Sequence, residues 1–163
     1  MRQLMRLFFA GIAGGLTLNL VMLLTFRYLG FGWNGGGILL DPSLQSPKLI
    51  AVWTQMDPRP LVVSCPIPIV IGFCLFGIGH AFVYQLVGTA WPAGVPARTW
   101  RLAALLFFLT FAFWEFFTPY NLFGEPLPLI SLELIFWAVI AITEATVITS
   151  VLEWHRDHRI ELN

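Results

Sequence analysis

Four long apolar stretches constrain this chain more than any other feature of its sequence. A helix needs about 20 mostly apolar residues to cross the roughly 30 Å of hydrocarbon in a bilayer. Stretches of this kind occupy residues 7–29, 67–87, 102–118 and 129–152. Because lipid satisfies no backbone hydrogen bond, we expect helices rather than strands. The sequence therefore predicts an all-α fold, a four-helix transmembrane bundle that forms one integral membrane domain.

The composition excludes several other classes of protein. Hydrophobic residues make up 58% of the 163 residues and charged residues 11%, against about 45–50% and 25% in soluble domains. Nine Lys and Arg balance nine Asp and Glu, so the basic excess that binds nucleic acid is absent. The first stretch follows Arg2 and Arg6 and could instead be a cleaved signal peptide, but it is longer than the apolar region of such peptides.

Basic residues near the span ends predict the orientation, because Lys and Arg concentrate on the cytoplasmic side. With the N-terminus inside, six basic residues lie on the inner side and three on the outer side. We therefore expect a multi-pass protein of a bacterial inner (plasma) membrane with both termini cytoplasmic. The inner set is Arg2, Arg6, Arg98, Arg101, Arg156 and Arg159, and the outer set is Arg27, Lys48 and Arg59.

The outer loop, residues 30–66, is far longer than the usual connection of about 4–6 residues. Ser46 suits a helix N-cap and Pro47 the first turn. Apolar residues then recur at i, i+3, i+4 and i+7, which is typical of a helix with one apolar face: Leu49, Val52, Trp53 and Met56. The pattern predicts a short amphipathic helix, Pro47 to Met56, on the outer membrane surface or capping the bundle. It could be a simple lid, a gate or a docking element.

A central layer of polar residues is predicted inside the spans, where ionisable groups are costly and commonly functional. Counting from the centre of each span places Asn19, His80 and Glu144 within about one helical turn of each other in depth. Glu144 is too deep to reach the interface. Unpaired it should be protonated, and paired with His80 it could be charged. Asn19 and His80 could equally be structural hydrogen-bonding groups between helices.

A second polar layer is predicted nearer the outer face. Glu115 and Glu133 have similar depths there, and the short outer connection between their spans carries Tyr120, Asn121 and Glu125. We expect these residues to form a polar cluster with aromatic walls. It could bind a cation, a quinone head group or a lipid head group, or it could be a rigid turn held by hydrogen bonds.

The fourth stretch also carries a line of polar residues. Glu133, Glu144 and His155 are eleven positions apart, and eleven steps of about 100° return to nearly the same helix face. Such a line must face protein or water rather than lipid. Together with His80 it is typical of a proton relay, and cation passage along the same groups is the related alternative.

No motif in the sequence indicates catalysis. The Glu-x-x-His pairs of a di-iron bundle are missing. Cys65 and Cys74 lie too far apart along one helix for a local disulfide. We therefore expect no catalytic residue, no metal and no cofactor, and the sequence favours a protein that is not an enzyme.

The leading functional hypothesis from the sequence is a non-catalytic subunit or assembly factor of a membrane complex. Its motivation is the small size, the closely spaced Gly11 and Gly15, which permit helix contact, and a third span rich in phenylalanine. The expected partners are the lipid bilayer, a larger membrane complex or further copies of the chain. The alternatives are a proton or cation transporter using Glu144, His80 and Glu133, and a lipid- or quinone-binding protein. The phenylalanines are Phe107, Phe108, Phe111, Phe113, Phe116 and Phe117.

Overall fold

A computed structural model describes the backbone of residues 2–160 and the side chains of residues 3–154. Over these residues the protein is all-helical and contains no strand. Four helices are long and apolar enough to cross a membrane, and we number them as the first to fourth spans in chain order: Gln3–Gly30, Ile67–Ala90, Val95–Phe123 and Leu127–Trp154. The fourth span belongs to a longer helix, Leu127–Ile160. The predicted line of polar residues ends at His155, whose side chain lies outside the described residues.

The third span is longer than the predicted 102–118, because neither of its prolines ends the helix. Pro96 lies in the first turn, where a missing N–H costs nothing. Pro119 lies within a wider π-helical turn, so the helix continues past it to Phe123. The span consists of Val95–Leu106, Phe107–Ala112 (π-helical), Phe113–Glu115, Phe116–Tyr120 (π-helical) and Asn121–Phe123.

Glycines bring the first and second spans into backbone contact. A Cβ on Gly77 would lie 2.6 Å from the backbone nitrogen of Gly15 and even closer to the carbonyl oxygen of Gly11. Gly11 and Gly15 therefore contact the second span of the same chain, because small residues four positions apart allow two helices to approach closely. The fourth span is central to the bundle, since both the first and the third spans pack against it.

The long loop folds over one end of the bundle. Its helix is Pro47–Thr54, with the Ser46 hydroxyl accepting a hydrogen bond from Leu49 N at 3.2 Å, and it ends before the predicted Met56. Ser46 Oγ also donates to the carbonyl oxygen of Phe123 at 2.7 Å, which ties the loop to the turn between the third and fourth spans. We call this end of the bundle the loop side, and the other end the opposite side. The remaining loop elements are single turns at Ile38–Leu40 and Leu61–Ser64.

Candidate functional site

Three buried polar clusters lie at different depths along the fourth span. Each contains a glutamate of that span: Glu133 near the loop side, Glu144 in the middle and Glu153 near the opposite side, with relative exposures of 5%, 0% and 4%. At about 1.5 Å per residue, neighbouring glutamates are separated by roughly 16 Å and 13 Å along the helix. The clusters are therefore separate sites.

The cluster near the loop side consists of Glu115, Glu125 and Glu133, and we call it the carboxylate cluster. All three side chains are buried, and one carboxylate oxygen from each lies within 4.8 Å of the others. No ion pair joins these carboxylates to Lys or Arg among residues 3–154. Three buried acids at this spacing repel one another when ionised, so they must hold protons or a cation.

Neighbouring donors orient two members of the carboxylate cluster. The indole Nε1 of Trp137 donates to Glu115 Oε2 at 2.7 Å. The amide of Gln45, itself buried within the long loop, donates to Glu125 Oε1. The remaining oxygens, Glu115 Oε1 and Glu125 Oε2, are buried and have no hydrogen-bond partner within the described part of the chain.

Glu125 lies in the turn between the third and fourth spans, where burial raises the pKa of its carboxyl group to about 7. The hydrogen bond from Gln45 lowers this pKa, and the negative charge of Glu115 raises it again. Burial outweighs the hydrogen bond because desolvation disfavours the charged form.

Two predicted members of this cluster lie elsewhere. Tyr120 is 43% exposed, and its ring makes an edge contact with Phe116. Asn121 is also exposed. Both residues follow Glu115 within the helical end of the third span, where they lie on its outer surface rather than facing the fourth span. The predicted cluster of five acidic and polar residues is thus reduced to its three glutamates.

The central site is the pair of His80 and Glu144. His80 Nδ1 lies 2.8 Å from Glu144 Oε1, a hydrogen-bonding distance, with the two side chains 12% and 0% exposed. Glu144 Oε2 is buried and has no hydrogen-bond partner among residues 3–154. The second and fourth spans thus bring together the two ionisable residues that depth counting placed at the same level.

Asn19 does not join this pair, contrary to the predicted central layer. Its amide donates to the carbonyl oxygens of Gly15 at 2.8 Å and Val70 at 3.4 Å. Val70 lies ten positions before His80, or about 15 Å along the helix. Counting from span centres failed here because the close contact between Gly15 and Cys74 sets the relative height of these two helices.

The third cluster, an ion pair near the opposite side, was not found by reading the sequence. Arg98 Nη1 donates to Glu153 Oε2 at 2.6 Å, and the Tyr84 hydroxyl donates to Glu153 Oε1 at 2.6 Å. The sequence does contain an indication of it. Ala145 and Thr149 are buried residues four positions apart on the fourth span, and Glu153 lies four positions further on the same helix face.

Apolar side chains separate the carboxylate cluster from the central pair. Between Glu133 and Glu144 the fourth span buries Phe136, Ile140 and Ala141. The polar groups of the fourth span therefore form separated sites rather than the continuous relay that their common face predicts.

The aromatic face of the third span is partly internal. Phe111 is buried and its ring stacks on Trp137 at 4.6 Å between centroids, whereas four other phenylalanines are at least half exposed. The six phenylalanines of the third span therefore do not all face outward. The exposed set is Phe108, Phe113, Phe116 and Phe117.

Comparison with known proteins adds no assignment to this site. The chain matches no protein-family model, no curated protein and no solved structure.

Proposed function

We propose that this protein transports protons, or cations in exchange for protons, across a membrane, and that His80 and Glu144 form its proton-binding pair. The observation that carries the proposal is the position of Glu144. Its side chain is fully buried between the spans, one oxygen faces His80 Nδ1, and the other is without a hydrogen-bond partner in the described chain. Ionisable groups held inside a membrane bundle are characteristic of proton pathways.

The pair is suited to taking up and releasing one proton. His80 Nδ1 and Glu144 Oε1 lie 2.8 Å apart, so a proton can pass between an imidazole nitrogen and a carboxylate oxygen without a large movement of either side chain. Because apolar side chains separate the pair from the carboxylate cluster, the proton cannot follow a fixed line of polar groups. Transport thus requires the bundle to open Glu144 to each side in turn.

The distribution of basic residues supports an orientation for this function. The excess of arginine on the side opposite the long loop favours a cytoplasmic location for that side. We accordingly propose a bacterial plasma membrane, with both termini in the cytoplasm and the carboxylate cluster near the outer face.

Proton flux into liposomes tests the proposal. The purified protein is reconstituted with an internal pH-sensitive dye, and uptake is followed after a pH step with a potassium–valinomycin clamp. We expect Glu144→Gln and His80→Ala to abolish the flux that the unmodified protein supports. Asp41→Asn, which removes an acid from the surface of the loop, is the control and should transport normally. Equal flux in all four proteins, or none above that of empty liposomes, overturns the proposal.

The accessory-subunit hypothesis is the second candidate, and the exposed aromatic face of the third span favours it. Phe108 and Phe113 are each 67% exposed, and aromatic side chains are common at protein interfaces. Lipid can cover the same surface, and the Gly11 and Gly15 contact is already occupied within the chain. Native mass spectrometry after gentle extraction tests this candidate, which requires a second chain to remain bound.

A further inference from the structure

We propose that the carboxylate cluster is a binding site for a divalent cation that prefers oxygen ligands, such as Ca²⁺ or Mn²⁺. Glu115 of the third span, Glu125 of the turn and Glu133 of the fourth span converge there, with one oxygen of each within 4.8 Å of the others. This inference does not rest on the proposed transport function, because Glu144 lies about 16 Å away along the helix.

Two buried oxygens of this cluster receive no hydrogen bond from a neighbouring donor. Glu115 Oε1 and Glu125 Oε2 are buried and unpaired among the described residues, and their side chains are only 1% and 2% exposed. A buried acceptor without a partner is costly. A cation at the convergence of the three carboxylates would satisfy these oxygens and neutralise most of the repulsion.

The surrounding donors resemble the outer shell of a metal site. Ligands of metal ions are commonly fixed by hydrogen bonds to atoms that do not bind the metal. Trp137 holds Glu115 through Oε2, and Gln45 holds Glu125 through Oε1. In both residues the other carboxylate oxygen is left to bind an ion. Gln45 is itself fixed, since its amide also donates to the carbonyl oxygen of Leu39 at 3.2 Å.

The ligand chemistry selects the class of cation. The candidate ligands are carboxylate oxygens, which suit Ca²⁺, Mn²⁺ and Mg²⁺ rather than metals that prefer nitrogen or sulfur. Two oxygens that bind one Ca²⁺ can lie up to about 4.6–5.2 Å apart, which is twice the metal–oxygen distance. Oxygens that all lie within 4.8 Å of one another are therefore close enough to bind one such ion.

The long loop closes the site from the loop side. Gln45 donates to Glu125, and the neighbouring Ser46 donates to the carbonyl oxygen of Phe123 at 2.7 Å. Both contacts belong to the segment that precedes the loop helix. A cation would enter when this segment lifts, and would help hold it closed through Glu125.

The test is metal titration of the full-length protein in detergent after treatment with EDTA. Mn²⁺ is followed by electron paramagnetic resonance, and Ca²⁺ by its competition with Mn²⁺. We expect one saturable site per chain, and a loss of affinity of at least about 10-fold in Glu115→Gln, Glu125→Gln and Glu133→Gln. Glu144→Gln, a buried glutamate of the central pair, and Asp41→Asn are the matched controls and should bind like the unmodified protein.

Trp137→Phe keeps an aromatic ring but removes the donor to Glu115, so it tests the site without removing a ligand. It should weaken Mn²⁺ binding by about 10-fold or more, with a circular dichroism spectrum like that of the unmodified protein. Absence of saturable binding overturns the proposal, as does binding that survives all three glutamine substitutions. Metal binding with no proton flux would retain this site while rejecting the transport function, and the reverse result would do the opposite.

Discussion

A glycine at the contact between the first and second spans gives a sharp test of the fold. A methyl group added at Gly77 would lie 2.6 Å from Gly15 N and closer to the carbonyl oxygen of Gly11, whereas a Cβ on Gly79 meets no atom within 4 Å. Ordinary contacts begin near 3.4 Å. Because the groups struck are backbone, a change of rotamer cannot relieve the clash and the two helices must separate.

The free-energy cost of the clash at Gly77 follows from comparing the two substitutions. Gly→Ala within a helix gains about 1 kcal/mol of helix propensity, and this gain is common to Gly77→Ala and Gly79→Ala. Their difference therefore isolates the overpacking cost, which is typically about 1–3 kcal/mol. For a chain of this size, that corresponds to a difference in melting temperature of roughly 2–12 °C.

Thermal unfolding in a mild detergent, followed by circular dichroism, measures this difference. Gly79→Ala should melt at or above the temperature of the unmodified protein, and Gly77→Ala should melt clearly below Gly79→Ala. If the two variants melt together, the first and second spans are not in backbone contact at this position and the described packing is wrong.

Three further predictions address the remaining buried groups. Arg98→Ala removes the buried ion pair to Glu153 and should cost about 3–5 kcal/mol in denaturant unfolding. The exposed Arg101→Ala should change the free energy of unfolding little, and equal effects of the two substitutions would contradict the buried pair. Ser46→Ala removes the N-cap of the loop helix and the hydrogen bond to the third span. We expect the free energy of unfolding to fall by about 1 kcal/mol and a protease to cleave the loop faster. Unchanged cleavage would argue against the docked loop. Glu125 should make stability depend on pH, because its pKa is raised from 4.5 to about 7 on folding. The stability that Glu125 contributes is complete below pH 4.5 and is lost as the pH rises through about 7. The melting temperature in EDTA should therefore fall over this pH window, and it should fall less in Glu125→Gln. Identical pH profiles of the two proteins would refute this assignment.

The spans were predictable because crossing a membrane imposes a length and a hydropathy on each helix. The N-cap at Ser46 was also predictable, since the residues that start a helix are adjacent in sequence. The third span was underestimated because Pro119 suggests a break, and the wider turns that accommodate it depend on packing that a sequence pattern does not record.

The candidate sites were only partly predictable. Depth counting pairs His80 with Glu144 and Glu115 with Glu133, because depth depends on position within a single span. The contact of Gln45 with Glu125 joins residues 80 positions apart through the folding of a loop, which no periodicity indicates. Asn19 was misplaced for the related reason that the heights of two helices are set by their contacts.

A charge-movement measurement shows whether Glu144 binds the transported proton. The protein is reconstituted in a supported membrane, and the current after a step in pH is recorded for the unmodified protein and for Glu144→Gln. We expect a transient current that depends on protein density in the unmodified protein and is absent from Glu144→Gln. A current of equal size in both would contradict the assignment of Glu144 as the proton-binding group.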